Sequence, residues 1–396
     1  MPLTEGLQKQ LIDIRRHIHR YPELSGEEVQ TTADIREWLE AADIREWLEA
    51  ADIRILNFPN LATGVIAEIG AGESLVALRA DIDALPVQEE TGLPFASEIA
   101  GKMHACGHDF HTASLLGAAY LLKEQEHHLQ GRVRLIFQPA EEKAKGAQQV
   151  IASGALEGVQ AIFGLHNKPD LPVGTVGIRE GALMAAADGF IVEVTGVGTH
   201  AAVPEAGIDP IVVSAHIVTA LQSIVSRNVG SQQGAVISVT QLNSGHVWNV
   251  IPDLAVLQGT IRTFDEQVRE HVLSRFEQVV EGVGTAFGTS ATVKWLAGPP
   301  PVLNDGQWTG VAKLAAEQSQ LQVVEPAVSP ASEDFSFYQK EVPGVFIFVG
   351  TSGPQEWHHP SFDVDERALS GTATFLANTA RNALAQVEQQ SSLSTS

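Results

Sequence analysis

The 396-residue sequence contains a single cysteine, Cys106, and only 25 lysines and arginines against 48 aspartates and glutamates. One cysteine excludes an intramolecular disulfide and is typical of a protein in a reducing compartment. The formal net charge of −23 makes the surface repel phosphate groups, which argues against nucleic acids and anionic membranes as partners. Its apolar runs also fall far short of the ~20 residues that span a bilayer.

The N-terminal segment MPLTEGLQKQLIDIRRH has no apolar stretch behind basic residues. We therefore expect no signal peptide, a cytoplasmic location and no association with membranes. Hydrophobic residues make up 44% of the chain, which is enough for a sizeable core. At about 150 residues per domain, the length predicts two domains.

One segment departs from an ordinary sequence. ADIREWLEA occupies residues 33–41 and is repeated letter for letter at 42–50, inside a helical pattern that covers 27–52. Nine residues advance a helix by about two and a half turns, so the two copies would present their apolar residues on opposite sides. We expect one copy to protrude or the helix to break, and we interpret the repeat as a recent duplication.

Short apolar segments alternate with helical segments at both ends of the chain, which is typical of a mostly parallel, doubly wound sheet covered by helices. Between them the order becomes βαββαβ, a ferredoxin-like α+β unit. We predict an α/β catalytic domain at 1–186 and 298–396, with an inserted domain at 187–297. The final residues, QVEQQSSLSTS, are expected to be frayed.

Ionisable residues follow four of the predicted strands, at the edge where a doubly wound sheet binds ligands. They are Asp81 and Asp83, Glu141 and Glu142, His166, and His358 with His359. The loop HACGHDFH adds Cys106 and His108, which project to the same side of an extended chain. A thiolate and an imidazole together bind borderline divalent metals well. The sequence therefore predicts a site for one or two divalent cations at this edge.

Adjacent glutamates favour hydrolytic chemistry at such a site. Glu141 and Glu142 point apart in an extended chain, so one can bind a metal while the other reaches a water molecule. A carboxylate so placed can take a proton from water and later donate it to a leaving amine. Each residue alone also has a structural explanation, such as an acidic first helical turn or a small buried cysteine. Their joint occurrence favours the metal site and amide hydrolysis.

The motifs extend along nearly the whole chain. They are RRHIHRYPEL (15–24), RADIDALP (79–86), MHACGHDFHTA (103–113), FQPAEE (137–142), GLHN (164–167), GVGTHAAVPEAGIDP (196–210), WNVIPD (248–253), GTIRTF (259–264), SEDF (332–335) and WHHPSF (357–362). Together they resemble the M20 metallopeptidase family in its aminoacylase-like amidohydrolase branch. That branch includes hippurate hydrolases, indole-acetyl-amino-acid hydrolases and bacterial N-acetyl-amino-acid deacetylases. This sequence resembles the Bacillus-type members that are proposed as N-acetylcysteine or general N-acyl-amino-acid deacetylases.

The resemblance implies a ligand set for two divalent metal ions per subunit, which would be manganese, zinc, cobalt or nickel. The implied ligands are Cys106, His108, Glu142, His166 and His358. It implies that Glu141 is the general base and acid. It also implies that Asp83 orients one of the metal ligands without binding the metal itself. His358 is preferred to His359 because the first histidine of the family's His-x-Pro pattern binds metal.

The inserted domain resembles the family's lid and dimerisation domain, which implies a homodimer or homotetramer. By the same resemblance, His200 would contact the substrate or its oxyanion, in its own or the partner subunit. Asn249 and Arg262 would bind the substrate carboxylate, for which a guanidinium fork is well suited. The implied activity is the hydrolysis of N-acyl amino acids, most of all N-acetyl ones, to a carboxylate and a free amino acid.

Three alternatives stay open at this point. The first is a dipeptidase or carboxypeptidase on the same fold, and the second is a hydrolase that uses Cys106 as its nucleophile with His108. The third is a metal-binding protein without activity. The motifs do not define the preferred acyl group, the preferred side chain, the metal or the oligomeric state.

Overall fold

The computed structural model describes residues 3–40 and 53–394, with side chains up to residue 391. The second copy of the nine-residue repeat lies outside these residues. The chain divides into two compact units. The first comprises Met1–Gly181, Leu303–Ala327 and Asp334–Ser396, and the second comprises Ala182–Val302 and Val328–Glu333.

Among the described residues, helices and strands alternate along most of the chain. The helices are α1 (Glu5–Arg20), α2 (Val29–Glu40), α3 (His108–Glu124), α4 (Gly146–Ala152), α5 (Pro210–Arg227), α6 (Glu266–Ala286), α7 (Gly306–Gln318), α8 (Phe335–Glu341) and α9 (Ala368–Ser394). The strands are β1 (Arg54–Leu56), β2 (Val65–Gly70), β3 (Leu75–Asp81), β4 (Arg132–Gln138), β5 (Ala161–Lys168), β6 (Thr175–Gly177), β7 (Gly181–Met184), β8 (Ala186–Thr195), β9 (Thr199–His200), β10 (Ala235–Ser244), β11 (Val250–Ile251), β12 (Leu254–Thr263), β13 (Ala291–Ala297), β14 (Val302–Asn304), β15 (Gln322–Val324) and β16 (Gly344–Gly350).

The first unit is built on an eight-stranded sheet with the order β1-β2-β4-β3-β5-β16-β6-β15. Its central strands β4, β3, β5 and β16 are parallel neighbours, whereas β1 and β2 pair antiparallel at one edge. All residues of β3 and β16 are buried, as expected of strands covered on both faces. The predicted α/β class with a mostly parallel sheet is confirmed.

The second unit contains an antiparallel sheet with the order β10-β12-β8-β13. Burial alternates along β8, which shows that one face of the sheet carries the core. Helices α5 and α6 contact each other and this sheet, and Ile217 and Phe276 on them are fully buried. This is the ferredoxin-like arrangement that the βαββαβ order predicts.

The unit boundaries differ slightly from the predicted domain limits. The insertion predicted at 187–297 lies inside the second unit. Residues 328–333 fall within the predicted catalytic domain but belong to the second unit in the structure. The reason is a pair of backbone hydrogen bonds, from Ser329 to the carbonyl of Leu183 at 2.8 Å and from Ala185 to the carbonyl of Ser329 at 3.0 Å.

The C-terminal segment was predicted wrongly as a frayed tail. Helix α9 continues to Ser394, although its last residues are largely polar. Leu384 and Val387 on this helix are buried in the core of the first unit. Tertiary packing of an apolar face therefore stabilises a helix that composition alone does not predict.

One described helix, α5, is long and apolar enough to cross a membrane, since its 18 residues have a mean hydropathy of 1.2. Length and composition alone are weak evidence. Val213, Ile217 and Leu221 on its buried face pack in the core of the second unit. These contacts account for the apolar residues of its buried face.

Candidate metal centre

A thiol and two imidazoles lie together in the first unit. Cys106, His108 and His166 are buried, and their possible ligand atoms all lie within 4.8 Å of one another. Cys106 Sγ is 3.4 Å from His166 Nε2. Gly107, with φ of 86°, precedes the first residue of α3, and this left-handed turn brings His108 back towards Cys106.

A second group of possible ligands shares the same thiol. Cys106, Glu142 and His358 place their ligand atoms within 4.8 Å of one another, and His358 Nε2 lies 3.5 Å from Glu142 Oε1. His358 has a left-handed φ of 66° and donates its backbone N–H to the carbonyl of Ala105 at 2.8 Å. The neighbouring His359 accepts the backbone N–H of Ser361 at its Nδ1 instead. Cys106 therefore occupies the position common to both groups.

The imidazoles are oriented by partners behind them. His166 Nδ1 lies 2.8 Å from the carbonyl oxygen of Asn167, and because a carbonyl only accepts, Nδ1 carries the proton. The lone pair of His166 Nε2 is then directed at Cys106. His108 Nδ1 lies 3.3 Å from Asp83 Oδ1, which leaves its Nε2 for a ligand. Such supporting contacts are what metal-binding histidines need.

The two glutamates are presented by a short 3₁₀ turn, Glu141–Lys143, that follows β4. Asp83 accepts the backbone N–H of Glu141 at Oδ1 and that of Glu142 at Oδ2, both at 3.1 Å. Glu28 accepts the preceding backbone N–H, that of Ala140, at 2.8 Å. Two buried carboxylates thus hold three consecutive N–H groups, which fixes the direction of both glutamates.

The electrostatics of the two groups of possible ligands that share Cys106 favour the binding of a cation. Burial, together with the negative charges of Glu142 and Glu141, raises the pKa of the Cys106 thiol well above its ordinary value. Burial lowers the pKa of His108, but Asp81 and Asp83 outweigh it and raise that pKa to about 10. The carboxylates therefore favour positive charge here, which a divalent cation supplies while stabilising the thiolate.

The donor atoms fit divalent metals in a further way. His108 Nε2 and Glu142 Oε1 are buried, and neither has a hydrogen-bond partner among the described residues. Unpaired buried polar atoms are costly unless they bind something. Thiolate, imidazole and carboxylate donors together suit manganese, zinc, cobalt or nickel. The residues present therefore fit the metal ions that the sequence predicts.

The three residues predicted to bind substrate lie in the second unit, at two separate places. His200 is exposed on β9 and pairs with Val250 of β11, and Ala201 donates its N–H to the carbonyl of Asn249 at 3.0 Å. His200 and Asn249 are thus brought together. The N–H of Ala202 donates to His200 Nδ1 at 3.0 Å, which leaves His200 Nε2 as a hydrogen-bond donor.

Arg262 lies elsewhere in the second unit, on β12, where it pairs with Val236 and Ala187 of the neighbouring strands. Its side chain is half-buried, and burial lowers the pKa of its guanidinium from the ordinary value. A partly desolvated guanidinium of this kind is suited to bind a carboxylate, because its hydration is already reduced.

Sequence reasoning missed the groups that support the centre. Asp109, next to His108, is buried and accepts hydrogen bonds from Arg15 and His19, both at 2.9 Å. The informative spacing was Arg15 with His19, four residues apart and therefore on one face of α1. The roles of Glu28 and Asn167 had no comparable signal.

Comparison with known protein families gives a match over most of the chain. The model described as peptidase family M20/M25/M40 matches residues 77–382. An N-acetyl-L-cysteine deacetylase of Bacillus subtilis (strain 168) is 52% identical over 386 residues, which cover 97% of this chain and 90% of that protein. An N-acetylcysteine deacetylase of the same strain is 50% identical over 378 residues, covering 95% and 97%.

The fold has a close counterpart among solved structures. A Bacillus subtilis protein described as a dinuclear metal-binding peptidase of the M20 family superposes with a TM-score of 0.86 at 45% identity. The superposition covers 97% of this chain and 99% of that chain. The similarity therefore includes both units.

Proposed function

This chain belongs to peptidase family M20/M25/M40, and from that premise we propose that it is a metal-dependent amidohydrolase of N-acyl amino acids. Its products would be a carboxylate and a free amino acid. N-acetyl substrates come first, because the similar Bacillus proteins are named N-acetylcysteine deacetylases. The observation that carries the proposal is the Glu141–Glu142 turn beside the two ligand groups that share Cys106.

We propose that two divalent cations are held by the two ligand groups, with Cys106 common to both. The ligands would be Cys106, His108, Glu142, His166 and His358. Divalent cations in such sites polarise a carbonyl and make water more acidic. Asp83 would hold His108 and the Glu141–Glu142 turn in fixed positions relative to each other, since it contacts all three residues.

Glu141 would perform the proton transfers. Its carboxylate accepts a proton from the attacking water and then donates it to the departing amine nitrogen, which makes the amine a leaving group. His200 would stabilise the oxyanion through its Nε2–H. Asn249 and Arg262 would bind the α-carboxylate of the substrate.

A substrate panel tests this function. The manganese-loaded protein is assayed with N-acetyl amino acids, N-benzoyl amino acids and dipeptides, before and after treatment with a chelator. We expect release of free amino acid from the N-acetyl compounds, loss after chelation and recovery with added manganese. Faster hydrolysis of dipeptides would favour the dipeptidase or carboxypeptidase alternative. Activity that survives metal removal, with an acyl-thioester on Cys106, would favour the cysteine nucleophile.

We further propose a homodimer or homotetramer formed through the second unit. Strand β10 lies at an edge of the four-stranded sheet, and its Val236 and Leu242 are 48% and 44% exposed. Edge strands that carry exposed apolar residues pair readily with a second chain. Light scattering should give a molar mass that is a multiple of the 42.3 kDa of one chain. Val236→Lys should lower this molar mass. A monomeric wild type would contradict the proposal.

We also propose a cytoplasmic location. Cys106 is free and buried, and as a metal ligand it must stay a reduced thiol, which a reducing compartment maintains. Immunodetection in cell fractions tests this, and recovery of the protein outside the cytoplasm would contradict it.

A further inference from the structure

Asn167 follows His166 at the end of β5 and is fully buried. Its side-chain Nδ2 donates to the carbonyl oxygen of Cys106. The indole N–H of Trp357 lies 3.1 Å from the Asn167 carbonyl oxygen and 3.3 Å from Asn167 Oδ1. The backbone N–H of Asn167 donates to His111 Nε2 at 2.9 Å. One residue therefore contacts three separate parts of the centre.

The orientation of the Asn167 amide is determined by its partners. The carbonyl of Cys106 can only accept a hydrogen bond and the indole of Trp357 can only donate one. The amide must therefore direct Nδ2 at Cys106 and Oδ1 at Trp357. Rotation by 180° would put acceptor against acceptor and donor against donor. A side chain with a single allowed orientation is suited to define the distance between two segments.

These contacts join the segments that carry the proposed ligands. Cys106 lies in the loop before α3, His166 precedes Asn167 in β5, and Trp357 directly precedes His358. The fit is close, because a Cβ atom at Gly107 would lie 2.4 Å from Asn167 Nδ2. Without Asn167, the Cys106 carbonyl would lose its amide donor and the indole N–H would lose one of its two acceptors.

We propose that Asn167 is a positioning residue that sets the metal affinity of the centre by tying the Cys106, His166 and His358 segments together. The inference rests on the proposed metal site and deepens it. Asn167 does not contact the reacting atoms. Its substitution should weaken metal binding more than it lowers turnover of the metal-saturated protein.

The test compares two buried asparagines of the first unit. Asn167→Leu removes the amide, keeps a similar volume and adds no charge, so electrostatics cannot explain a change in affinity. Asn304→Leu is the matched control. Asn304 is also buried and donates to the carbonyls of Arg179 and Phe346 at 2.9 and 2.8 Å, but it contacts none of the proposed ligands. Zn²⁺ affinity of the full chain is measured by competition with a chromophoric chelator, and the melting temperature is measured in parallel.

We expect both variants to melt at lower temperature, because each leaves buried polar groups unpaired. Only Asn167→Leu should lose Zn²⁺ affinity, by roughly 10- to 100-fold, the usual loss when a supporting partner of a ligand is removed. Its kcat at saturating metal should stay within about threefold of wild type. If the two variants lose the same affinity, or neither does, Asn167 has only a structural role and the inference is wrong.

A second variant keeps the test decisive if Asn167→Leu does not fold. Trp357→Phe removes only the indole donor and retains an aromatic ring against His166, whose centroid lies 4.6 Å away. It should weaken Zn²⁺ binding by a smaller factor than Asn167→Leu does. An unchanged Zn²⁺ affinity would contradict the proposal that Asn167 ties the His358 segment to the centre. Wild type that binds no Zn²⁺ would refute the metal site itself, which separates the two failures.

Discussion

The carboxylate of Glu28 accepts the backbone N–H of Ala140 at 2.8 Å, and Ala140 directly precedes the proposed base. Ala140 has φ 52° and ψ 39°, a left-handed conformation that costs a non-glycine residue about 1 kcal/mol or more. The contact offsets that cost, because it satisfies an N–H group that lies at the start of the Glu141–Lys143 turn. Glu28 is therefore expected to support the geometry of Glu141 without touching the substrate.

Replacing Glu28 with alanine should lower kcat by roughly 10- to 100-fold, because a shift of about 1 Å in a catalytic group has costs of that order. KM should change little, since the residue is not expected to contact substrate. Glu28→Gln should retain most activity, because its amide oxygen can still accept the N–H of Ala140. Steady-state kinetics on an N-acetyl amino acid measure both effects.

The control is Thr63→Val, which removes a different partner of Glu28, the Thr63 hydroxyl that donates to Oε2 at 2.9 Å. This variant should lose some stability and keep kcat. An equal loss of kcat in Thr63→Val and Glu28→Ala would show that Glu28 acts through general packing and not through the Ala140 turn.

Glu141→Gln and Glu142→Gln should separate the two roles of the adjacent glutamates. Glu141→Gln should keep its metal and lose roughly 10²- to 10⁴-fold in kcat, the usual contribution of a general acid–base group. Glu142→Gln should lose metal, since Glu142 lies in the ligand group with His358. Metal content by mass spectrometry of the dialysed proteins distinguishes the variants. Retained turnover in Glu141→Gln would refute the proposed base.

Much of this arrangement could be predicted from local sequence. Residues at the carboxyl ends of parallel strands meet at one edge of the sheet, which is why Asp83, Glu142 and His166 could be grouped before the structure was known. Cys106 and His108 were also grouped correctly, but for an incomplete reason. We expected an extended chain, whereas Gly107 is left-handed and His108 begins a helix.

The supporting contacts could not be predicted, because they join residues far apart in the chain. Glu28 and Ala140 are separated by 112 positions, and Asn167 and Trp357 by 190. No periodicity or motif spacing encodes such pairs. Helix α9 was missed for a related reason, since its stability comes from packing against α3 and α7 in the first unit and not from the composition of its polar last turns.

The buried Arg79 should be essential for stability. It lies in β3 and is fully buried, with hydrogen bonds to Asp81 at 2.7 Å, Asp334 at 2.9 Å and Gln138 at 2.8 Å. Removing one partner of a buried ion pair leaves an uncompensated charge and costs about 3–5 kcal/mol. Arg79→Met should therefore lower the free energy of unfolding by that amount in urea titrations.

Arg54→Met is the matched control for Arg79→Met. Arg54 also pairs with a buried carboxylate, that of Glu68, but its own side chain is 60% exposed, and Arg132 and Arg134 still compensate Glu68. Exposed pairs contribute little, so we expect a loss below about 1 kcal/mol. Similar losses in the two variants would contradict the role given to Arg79.

The contact between His19 and Asp109 should make stability depend on pH. Burial lowers the pKa of His19, but hydrogen bonds to Asp109 and Glu89 outweigh burial and raise the pKa to about 9. The ordinary value is 6.5, so the folded protein retains a proton that the unfolded chain loses between these two values. The stabilisation is complete below pH 6.5 and is lost as the pH rises through about 9.

His19→Gln should remove this dependence. In wild type, protonation of His19 contributes on the order of 3 kcal/mol below pH 6.5, because its pKa is about 9 in the folded protein and 6.5 ordinarily. Urea unfolding at pH 6 and pH 9.5 should give a smaller difference between the two pH values in His19→Gln than in wild type. The comparison isolates the contribution of His19, because every other titrating group is common to wild type and His19→Gln. A wild-type difference that persists in His19→Gln would mean that another group, and not the pair with Asp109, titrates in this range.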